Sequence, residues 1–487
     1  MPPTMALSLD IGTSSCRSRI YDLNGAPFPG SLACRSYSPE SPEMGASELH
    51  PDELLESAAK CLDETLSTAG LEAESIVAVG CCALWHSMVG VDSRGEAITP
   101  VYTWADTRPA SVAGELAARI SCVDVHARTG CVIHPSYFPA RLLWHSQSMP
   151  DIHRKVVRWL SPAEYLYLKL FGKTICSISM ASGTGLFNQN ACCWDIAMMK
   201  EIGITPAELG PLARSGETLH GLLPEWAERW PALADIPWVP AIGDGAASNL
   251  GSDCRDVSCA AINLGTSGAI RVLWEQEEVK IPDDLWCYRL DNTHFVMGAA
   301  FSDGGNDYAW ARRILRLPDD AEIERQLLSR KPGQHALMFL PWLHGERSPD
   351  WNLEACASLI GMSMATEPLD ILQAIMEGVA LQFMLAWRTL AREFPQISHI
   401  KLSGGAPSHS IAWSRMIADA IGMDLIRVED EEASLRGAAL YAFKNRGYPF
   451  PITDSPGSSP RIVSDSLSHE YYLKRLQLLK KCGTLLK

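Results

Sequence analysis

Two segments that lie far apart in the chain could each bind phosphate. Residues 7–18 read LSLDIGTSSCRS and residues 260–271 read AAINLGTSGAIR, so the tripeptide Gly-Thr-Ser occurs in both. Each copy separates two short apolar runs, which predicts a strand, a tight turn and a second strand. The backbone N–H groups and hydroxyls of such a turn can bind an anion. The two copies predict a duplicated domain whose phosphate loops face one cleft.

At one matched position the difference bears on chemistry, because Asp10 of the first copy corresponds to Asn263 of the second. A magnesium nucleotide needs hydrogen-bond donors to its phosphates on both sides of the cleft. It needs an acidic residue directed at the metal on only one side. A single Gly-Thr-Ser is more often an ordinary hairpin. The pairing of the copies, at the starts of two halves of similar size, favours the phosphate loops.

A second candidate for chemistry is Asp244, which stands between Gly243 and Gly245. Neighbours without side chains leave this carboxylate accessible. An aspartate in a simple turn is the alternative interpretation. Its place at the junction of the halves favours a general base, which would accept the proton of a substrate hydroxyl attacking a phosphoryl group.

The first half also contains polar and aromatic residues suited to a sugar. In an extended segment, Trp104, Asp106 and Arg108 would point an aromatic ring, an acid and a base to one side. Aromatic faces suit sugar C–H surfaces, and the polar groups suit hydroxyls and carboxylates. For each residue the alternative interpretation is core packing or a surface ion pair. For Trp85 and Arg141, taken individually, that alternative is the better interpretation. The other members of this set are Trp85, His86, His134, Tyr137 and Arg141.

Strand-like and helix-like segments alternate around these residues, which predicts an α/β fold. We expect helices at 50–69 and 369–393, strands at 75–82 and 399–405, and a further helix from about 408 to 421. The Gly/Ala/Ser-rich stretch 240–253 marks the predicted boundary between domains 1–251 and 252–487. Length alone would also allow three domains.

Composition excludes some classes of partner. A net charge of −15 disfavours binding to nucleic acid or to an anionic membrane. The 15 cysteines form no C-x-x-C pair, which predicts free thiols in a reducing compartment. The first strand leaves no room for a signal peptide, and no apolar run is long enough to span a membrane. We therefore predict a cytoplasmic protein.

Taken together, the motifs resemble those of the FGGY family of carbohydrate kinases, over nearly the whole chain. DIGTSS at 10–15 and NLGTSGAIR at 263–271 resemble the two phosphate motifs, and LSGGA at 402–406 resembles the adenosine motif. EASLRGAA at 432–439 is similar to the segment that closes the nucleotide lobe. The resemblance implies two actin-like, ribonuclease H-like ATPase domains with a cleft between them, and it implies ATP and Mg²⁺ as cofactors.

The resemblance also implies roles for individual residues. Asp244 would be the general base, and Asp10 and Asp244 the residues directed at Mg²⁺. Arg108, Arg141 and His134 are candidates for neutralising a substrate carboxylate. The implied nucleotide and phosphate residues are Thr13, Ser14, Arg17, Gly265, Thr266, Gly305, Gly405 and His409. The implied substrate residues are Trp85, His86, Trp104, Asp106, Arg108 and Tyr137.

Within the family, WADTR at 104–108 and RTGCVIHP at 128–135 resemble gluconate kinases. The implied reaction is ATP-dependent phosphorylation of D-gluconate to 6-phospho-D-gluconate. Trp85 departs from the pattern, because these kinases usually have Met there. A xylulokinase or another pentulose or polyol kinase is the nearest alternative. An actin-like or chaperone-like ATPase acting on a protein partner is the alternative from another class. A small-molecule sugar or sugar acid is the expected partner, and a homodimer is a reasonable expectation.

Overall fold

The computed structural model describes residues 4–428, 432–451 and 460–485. The fold is α/β, as predicted, and the chain groups into two compact units. Each unit is assembled from separate stretches of the chain. Unit 1 comprises Met1–Asp253, Leu273–Val296 and Glu432–Thr453, and unit 2 comprises Cys254–Val272, Met297–Glu431 and Asp454–Lys487.

The strands of the described residues are numbered in chain order. They are β1 Met5–Ile11, β2 Ser15–Asp22, β3 Ala33–Ser36, β4 Glu48–Leu49, β5 Ile76–Ala83, β6 Val89–Val91, β7 Val101–Tyr102, β8 Arg158–Leu160, β9 Phe187–Asn188, β10 Cys193–Trp194, β11 Ile242–Gly243, β12 Cys259–Leu264, β13 Gly268–Glu275, β14 Trp286–Arg289, β15 His294–Phe301, β16 Met338–Leu340, β17 Ser358–Ile360, β18 His399–Ser403, β19 Leu425–Arg427 and β20 Arg461–Ile462.

The α-helices are numbered in the same way. They are α1 Pro51–Ala69, α2 Ala110–Arg119, α3 Cys122–Thr129, α4 Phe138–Ser148, α5 Pro150–His153, α6 Pro162–Phe171, α7 Ile178–Ser182, α8 Ile196–Ile202, α9 Pro224–Arg229, α10 Asp244–Gly251, α11 Gly305–Ile314, α12 Asp320–Ser329, α13 Pro368–Glu393, α14 Gly405–His409, α15 Ile411–Ile421, α16 Ala433–Asn445 and α17 Ser466–Leu485.

The main sheet of unit 1 has the strand order β11-β5-β1-β2-β3. β1 and β2 form the predicted antiparallel hairpin, and β5 lies parallel to β1 on its other side. Ile11 is opposite Ala83, and Ala83 is opposite Gly243 of the parallel strand β11. The carboxyl ends of three parallel strands therefore lie in one row, which is where open α/β sheets bind ligands.

The other large sheet has the order β14-β15-β13-β12-β18-β19-β20. β12 and β13 form the second predicted hairpin, and β18 lies parallel to β12. This repeats the arrangement of β1, β2 and β5. The predicted helix at 408–421 is wrong in one respect, because it is divided at Ser410. The Ser410 side chain accepts a hydrogen bond from the Trp413 N–H and so begins α15 there.

Helices α10 and α16 of unit 1 pack backbone against backbone. A β-carbon on Gly437 would lie 1.9 Å from the Ala247 oxygen, and one on Gly251 would lie 1.8 Å from the Ala433 oxygen. The small residues at 244–251 thus form a helix that follows strand β11, rather than a loose linker. Their size serves close helix packing, and that packing positions Asp244, the first residue of α10.

The expectation that no apolar run is long enough to span a membrane is wrong for α13, which alone among the described residues is long and apolar enough to cross one. Its apolar window is 83% buried inside the protein, so this surface is used in packing. The described cysteines are all free thiols, and most of them are buried. The second observation fits the expectation of free thiols.

Candidate active site

Asp10 and Asp244 lie at the carboxyl edge of the unit 1 sheet. Asp10 is 4% exposed, and its Oδ1 has no hydrogen-bond partner. Burial raises the pKa of Asp10 to about 6, while Arg17 lowers it and the nearby carboxylate of Asp244 raises it further. The Gly245 N–H donates to Asp244 Oδ1 at 2.7 Å, which orients that carboxylate. The structure therefore brings the two predicted acids together.

The matched residue of the second hairpin, Asn263, is used differently. Its Nδ2 donates to Ser403 Oγ at 3.2 Å, across the parallel pairing of β12 and β18. An amide can hold the two strands together in this way, whereas a carboxylate with an unpartnered oxygen is suited to a cation. The Asp-to-Asn difference predicted from the repeat thus corresponds to a difference in bonding.

The first phosphate turn contains Thr13 and Ser14, of which Ser14 is exposed. Thr13 Oγ1 accepts a hydrogen bond from Trp104 Nε1 at 3.0 Å. Arg17 pairs with Glu432 at 2.5 Å and donates through Nε to Ser15 Oγ. A phosphate bound at this turn would therefore meet a guanidinium whose position is already set by a carboxylate.

Trp85 packs beneath the turn that carries Asp244. A β-carbon on Gly243 would lie 1.8 Å from the Trp85 ring, so only glycine fits there. The Trp85 indole N–H donates to the Ser179 oxygen at 2.9 Å, and the Gly243 N–H donates to Ser179 Oγ at 3.0 Å. With 5% of its surface exposed, Trp85 supports the Asp244 turn and offers little area to a sugar.

His86, Tyr137 and two aromatic residues of β14 form a cluster in unit 1. The His86 ring centroid lies 4.9 Å from that of Tyr137 and 5.3 Å from that of Tyr288. The Tyr137 and Tyr288 hydroxyls are 2.6 Å apart, and Trp286 stacks on Tyr288. Sequence reasoning missed Trp286 and Tyr288. The available signal was their spacing, because residues two apart in a strand lie on the same face of the sheet.

Residues 104–108 do not form the extended segment that would point three side chains to one side, because Trp104 and Ala105 form a turn. Trp104 reaches Thr13, whereas Arg108 binds Asp106 at 2.5 Å. Arg108 also pairs with Glu48 at 2.5 Å and Glu43 at 2.8 Å. The three side chains therefore do not point to one side. Three carboxylates already surround Arg108, which weakens its case as the partner of a substrate carboxylate.

Arg141 is fully buried and holds backbone segments together. Its guanidinium donates to the carbonyl oxygens of five residues, and burial lowers its pKa to about 10. Arg141 thus joins the loops that carry His86, Trp104 and Tyr137. Its hydrogen bonds are made to backbone carbonyls, which does not support its predicted role in neutralising a substrate carboxylate. The acceptors are His86, Tyr102, Thr103, Pro135 and Ser136. His134 is likewise buried, with Nδ1 bonded to Ser136.

Unit 2 contains a cavity of about 1120 Å³. Its size exceeds the usual range for small-molecule sites, so a nucleotide fits within it. A β-carbon on Gly305 would lie 2.4 Å from the Gly265 oxygen, so glycine is needed for this close approach. A β-carbon on Gly405 would meet nothing within 4 Å, which leaves open space for a flat ring. The predicted residues in its lining are Gly265, Thr266, Gly305, Gly405 and His409.

The cavity also contains residues that sequence reasoning missed. Tyr308, Trp310 and Trp413 add aromatic surface, and Arg313 and His344 add nitrogen donors. The alternation of Tyr308 and Trp310 within α11 is a weak signal by itself. His344 comes from a loop after β16, and nothing local in the sequence connects it to α11.

The residues of unit 1 fit a magnesium ion held mainly by phosphates and water. Within residues 4–428, 432–451 and 460–485, no three His, Cys, Asp or Glu side chains cluster in a way that could hold a metal. Asp10 offers an unpartnered buried oxygen, and Asp244 adds charge beside it. One or two carboxylates with waters and substrate phosphates form the usual Mg²⁺ site of phosphoryl-transfer enzymes.

Two sheets with the same hairpin and parallel-strand arrangement, one carrying the acids and the other a nucleotide-sized cavity, are features of kinases with the actin-like, ribonuclease H-like fold. The models of the FGGY family of carbohydrate kinases match this chain, the N-terminal domain over residues 5–251 and the C-terminal domain over 260–445. The chain belongs to the FGGY family of carbohydrate kinases. It is therefore an ATP-dependent sugar phosphotransferase.

Curated relatives within the family have different substrates in their names. A gluconokinase of Bacillus subtilis is 27% identical over 93% of this chain and 91% of its own length. A xylulose kinase of the same organism is 24% identical, over 91% and 88%. The family is thus shown, while identity at this level does not select the sugar.

Solved structures agree on the fold. A ligand-bound xylulose kinase from Lactobacillus acidophilus has a TM-score of 0.88 at 22% identity, and covers 99% of this chain and 98% of its own. A gluconate kinase from the same organism has a TM-score of 0.87 at 23% identity, with the same coverage. These likenesses establish the architecture predicted from the motifs.

Proposed function

We propose that this chain transfers the terminal phosphoryl group of ATP to the primary hydroxyl of D-gluconate, giving 6-phospho-D-gluconate. The motifs at 104–108 and 128–135 and the gluconokinase relatives support this choice. The observation that carries the reaction type is the pair Asp10 and Asp244, which lie at one sheet edge and interact electrostatically.

Asp244 accepts the proton of the attacking hydroxyl in the proposed mechanism. The Gly245 N–H fixes its Oδ1, and Trp85 packs against Gly243 so that the turn keeps its place. The Gly265 and Thr266 turn, which lines the cavity of unit 2, supplies hydrogen-bond donors to the phosphates of ATP. The Thr13 and Ser14 turn of unit 1 offers donors of the same kind. Asp10 would hold Mg²⁺ through its unpartnered oxygen, and the ion would supply positive charge to the transferred group.

The Asp244→Asn variant tests the general base. Loss of a general base should lower kcat by about 10²–10⁴-fold and leave ATP binding largely intact. Asp235→Asn is the matched control, because Asp235 is an exposed aspartate of the same unit. Turnover near the wild-type value in Asp244→Asn would exclude this role, whatever the sugar.

A neutral ketose or polyol is the second candidate for the acceptor. One observation favours it, namely that Asp106, Glu48 and Glu43 already surround the Arg108 guanidinium. A coupled kinase assay on D-gluconate, D-xylulose and glycerol separates the candidates. We expect the highest kcat/KM on D-gluconate. Turnover on D-xylulose without turnover on D-gluconate would replace the proposed substrate and keep the reaction class.

A further inference from the structure

One end of the cavity in unit 2 is formed by the second Gly-Thr-Ser turn and the start of α11. The Gly305 N–H donates to the Gly265 oxygen at 2.9 Å, and the Asn306 N–H donates to the Thr266 oxygen at 3.0 Å. α11 has ten residues, and its positive end lies here. The end of the cavity near Gly265 is therefore suited to the phosphates, and the end near Gly405 to the base.

His344 lies at the phosphate end. Its Nδ1 is 2.7 Å from Asp303 Oδ1 and 3.2 Å from Asn306 Nδ2. The side chain is 63% exposed and lines the cavity. Because Asn306 Nδ2 can only donate, and donates to Asp303 Oδ1 at 3.0 Å, the proton on His344 Nδ1 belongs to the bond with Asp303. The remaining ring nitrogen, Nε2, is left for a ligand.

Asp303 holds His344 at two points. The His344 backbone N–H donates to Asp303 Oδ2 at 3.2 Å, while the ring binds Oδ1. Asp303 is fully buried, so this carboxylate has a fixed position. A carboxylate that binds one imidazole nitrogen sets the tautomer and the orientation of the ring. Asp303 is thus a positioning residue for His344.

The charges around this pair favour a protonated imidazole. The hydrogen bond that His344 donates to Asp303 raises the pKa of His344 above its usual value. Burial, and then the charge of Asp303, raises the pKa of Asp307 to about 8. Asp303 is the carboxylate that binds the imidazole.

The other charged groups of the cavity face different partners. Asp320 binds Tyr308 and Arg312, and Glu324 binds Ser410 and the Ala412 N–H. Arg313 and His409 also line the cavity, and Glu346 and Arg347 belong to the loop of His344. Of these groups, His344 is the one that hydrogen bonds connect to the turn of Gly265 and Thr266, through Asn306.

We propose that His344, positioned by Asp303, binds the phosphate groups of the nucleotide as a cationic hydrogen-bond donor. This assignment rests on the proposed function, since it takes a nucleotide as the occupant of the cavity. It adds one consequence, because an imidazolium whose pKa is raised by the bond to Asp303 makes phosphate binding dependent on pH. Affinity should fall as pH rises through the pKa of His344.

The experiment compares ADP with adenosine, which lacks phosphate, by calorimetric titration of the full-length protein. His344→Gln should weaken ADP binding at pH 6.5 about tenfold, the size of one charge-assisted hydrogen bond, and leave adenosine binding unchanged. His409→Gln is the matched control at the Gly405 end, and should weaken both ligands equally. Equal effects of His344→Gln on ADP and adenosine, or no effect on ADP, would overturn the proposal.

The pH profile tests the positioning role of Asp303. Wild-type affinity for ADP should fall more steeply with rising pH than that of His344→Gln, and Asp303→Asn should flatten the profile in the same way. An Asp303→Asn protein with the wild-type profile would overturn the role of Asp303. Absence of ADP binding by the wild type would overturn the proposed function as well, whereas normal ADP binding that His344→Gln does not alter would overturn this inference alone.

Discussion

At the scale of single residues, Asp10 combines burial with an unpartnered oxygen. A carboxylate in this state costs free energy in the absence of a cation, because it has lost water and gained few partners. Its pKa of about 6, raised mainly by burial, expresses that cost. A residue kept in such a place is better explained by a ligand than by the stability of the fold.

Removing the negative charge of Asp10 should stabilise the magnesium-free protein. The pKa of Asp10 is raised in the folded state, so its favourable contribution is present below the unfolded value of 3.8 and is lost as pH rises through about 6. Asp10→Asn should therefore raise the free energy of unfolding by about 2 kcal/mol at pH 8. Denaturant titrations at pH 8 and pH 5 check this, with Asp235→Asn as control. An equal effect at both pH values would contradict it.

The same pKa predicts an acidic limit to activity. As pH falls through about 6, protonation of Asp10 removes the charge that attracts Mg²⁺, so kcat/KM for ATP should decline. A higher Mg²⁺ concentration should move this limit to lower pH, because the cation competes with the proton. Initial rates measured from pH 5 to pH 8 at two Mg²⁺ concentrations provide the test. A limit that does not move with Mg²⁺ would assign it to another group.

At the scale of elements, the contact between α10 and α16 controls where Asp244 lies. Gly437→Ala would place a methyl group 1.9 Å from the Ala247 oxygen, so the helices must separate. We expect a loss of about 1–3 kcal/mol in the free energy of unfolding. We also expect a lower kcat, because α10 begins with Asp244. Thermal melts and initial rates on the variant measure both.

Gly114→Ala is the control for that substitution. Gly114 lies inside α2, where a β-carbon would meet nothing within 4 Å. The same chemical change should there stabilise the protein by about 0.5–1 kcal/mol, since alanine favours a helix. If both variants behave alike, close packing of α10 on α16 is not what positions Asp244.

At the scale of the whole molecule, local patterns in the sequence predicted the hairpins, α1, α13 and the α/β class. Each of these depends on neighbours in the chain. Three sets of contacts join distant segments. They are the edge-to-face contact of Tyr288 with His86, the bonds of Arg141 to five carbonyls, and the pairing of His344 with Asp303. The hydrophobic periodicity of a sequence does not indicate contacts between segments that lie far apart in the chain. The hydrogen bond from Trp104 to Thr13 is likewise hidden from local patterns, because Thr13 lies elsewhere in the sequence.

The predicted domain 1–251 can be tested as a fragment. Unit 1 also includes Leu273–Val296 and Glu432–Thr453. Its core joins Leu435, Ala439 and Phe443 of α16 to Ala6 and Ala78 of the sheet. We therefore expect residues 1–251 alone to lack a cooperative thermal transition by circular dichroism. A sharp transition in that fragment, at the temperature of the full chain, would show that the later segments are dispensable.

The late position of α16 also has a consequence for biogenesis. During translation, the ribosome must add most of unit 2 before it reaches the helix that completes the core of unit 1. At about 5–20 residues per second, that interval is on the order of ten seconds or more. Throughout it, the apolar face of β1 and β5 that α16 covers stays exposed on the nascent polypeptide. Chaperones that bind nascent chains have their main opportunity in this interval, and premature termination before α16 should yield aggregates.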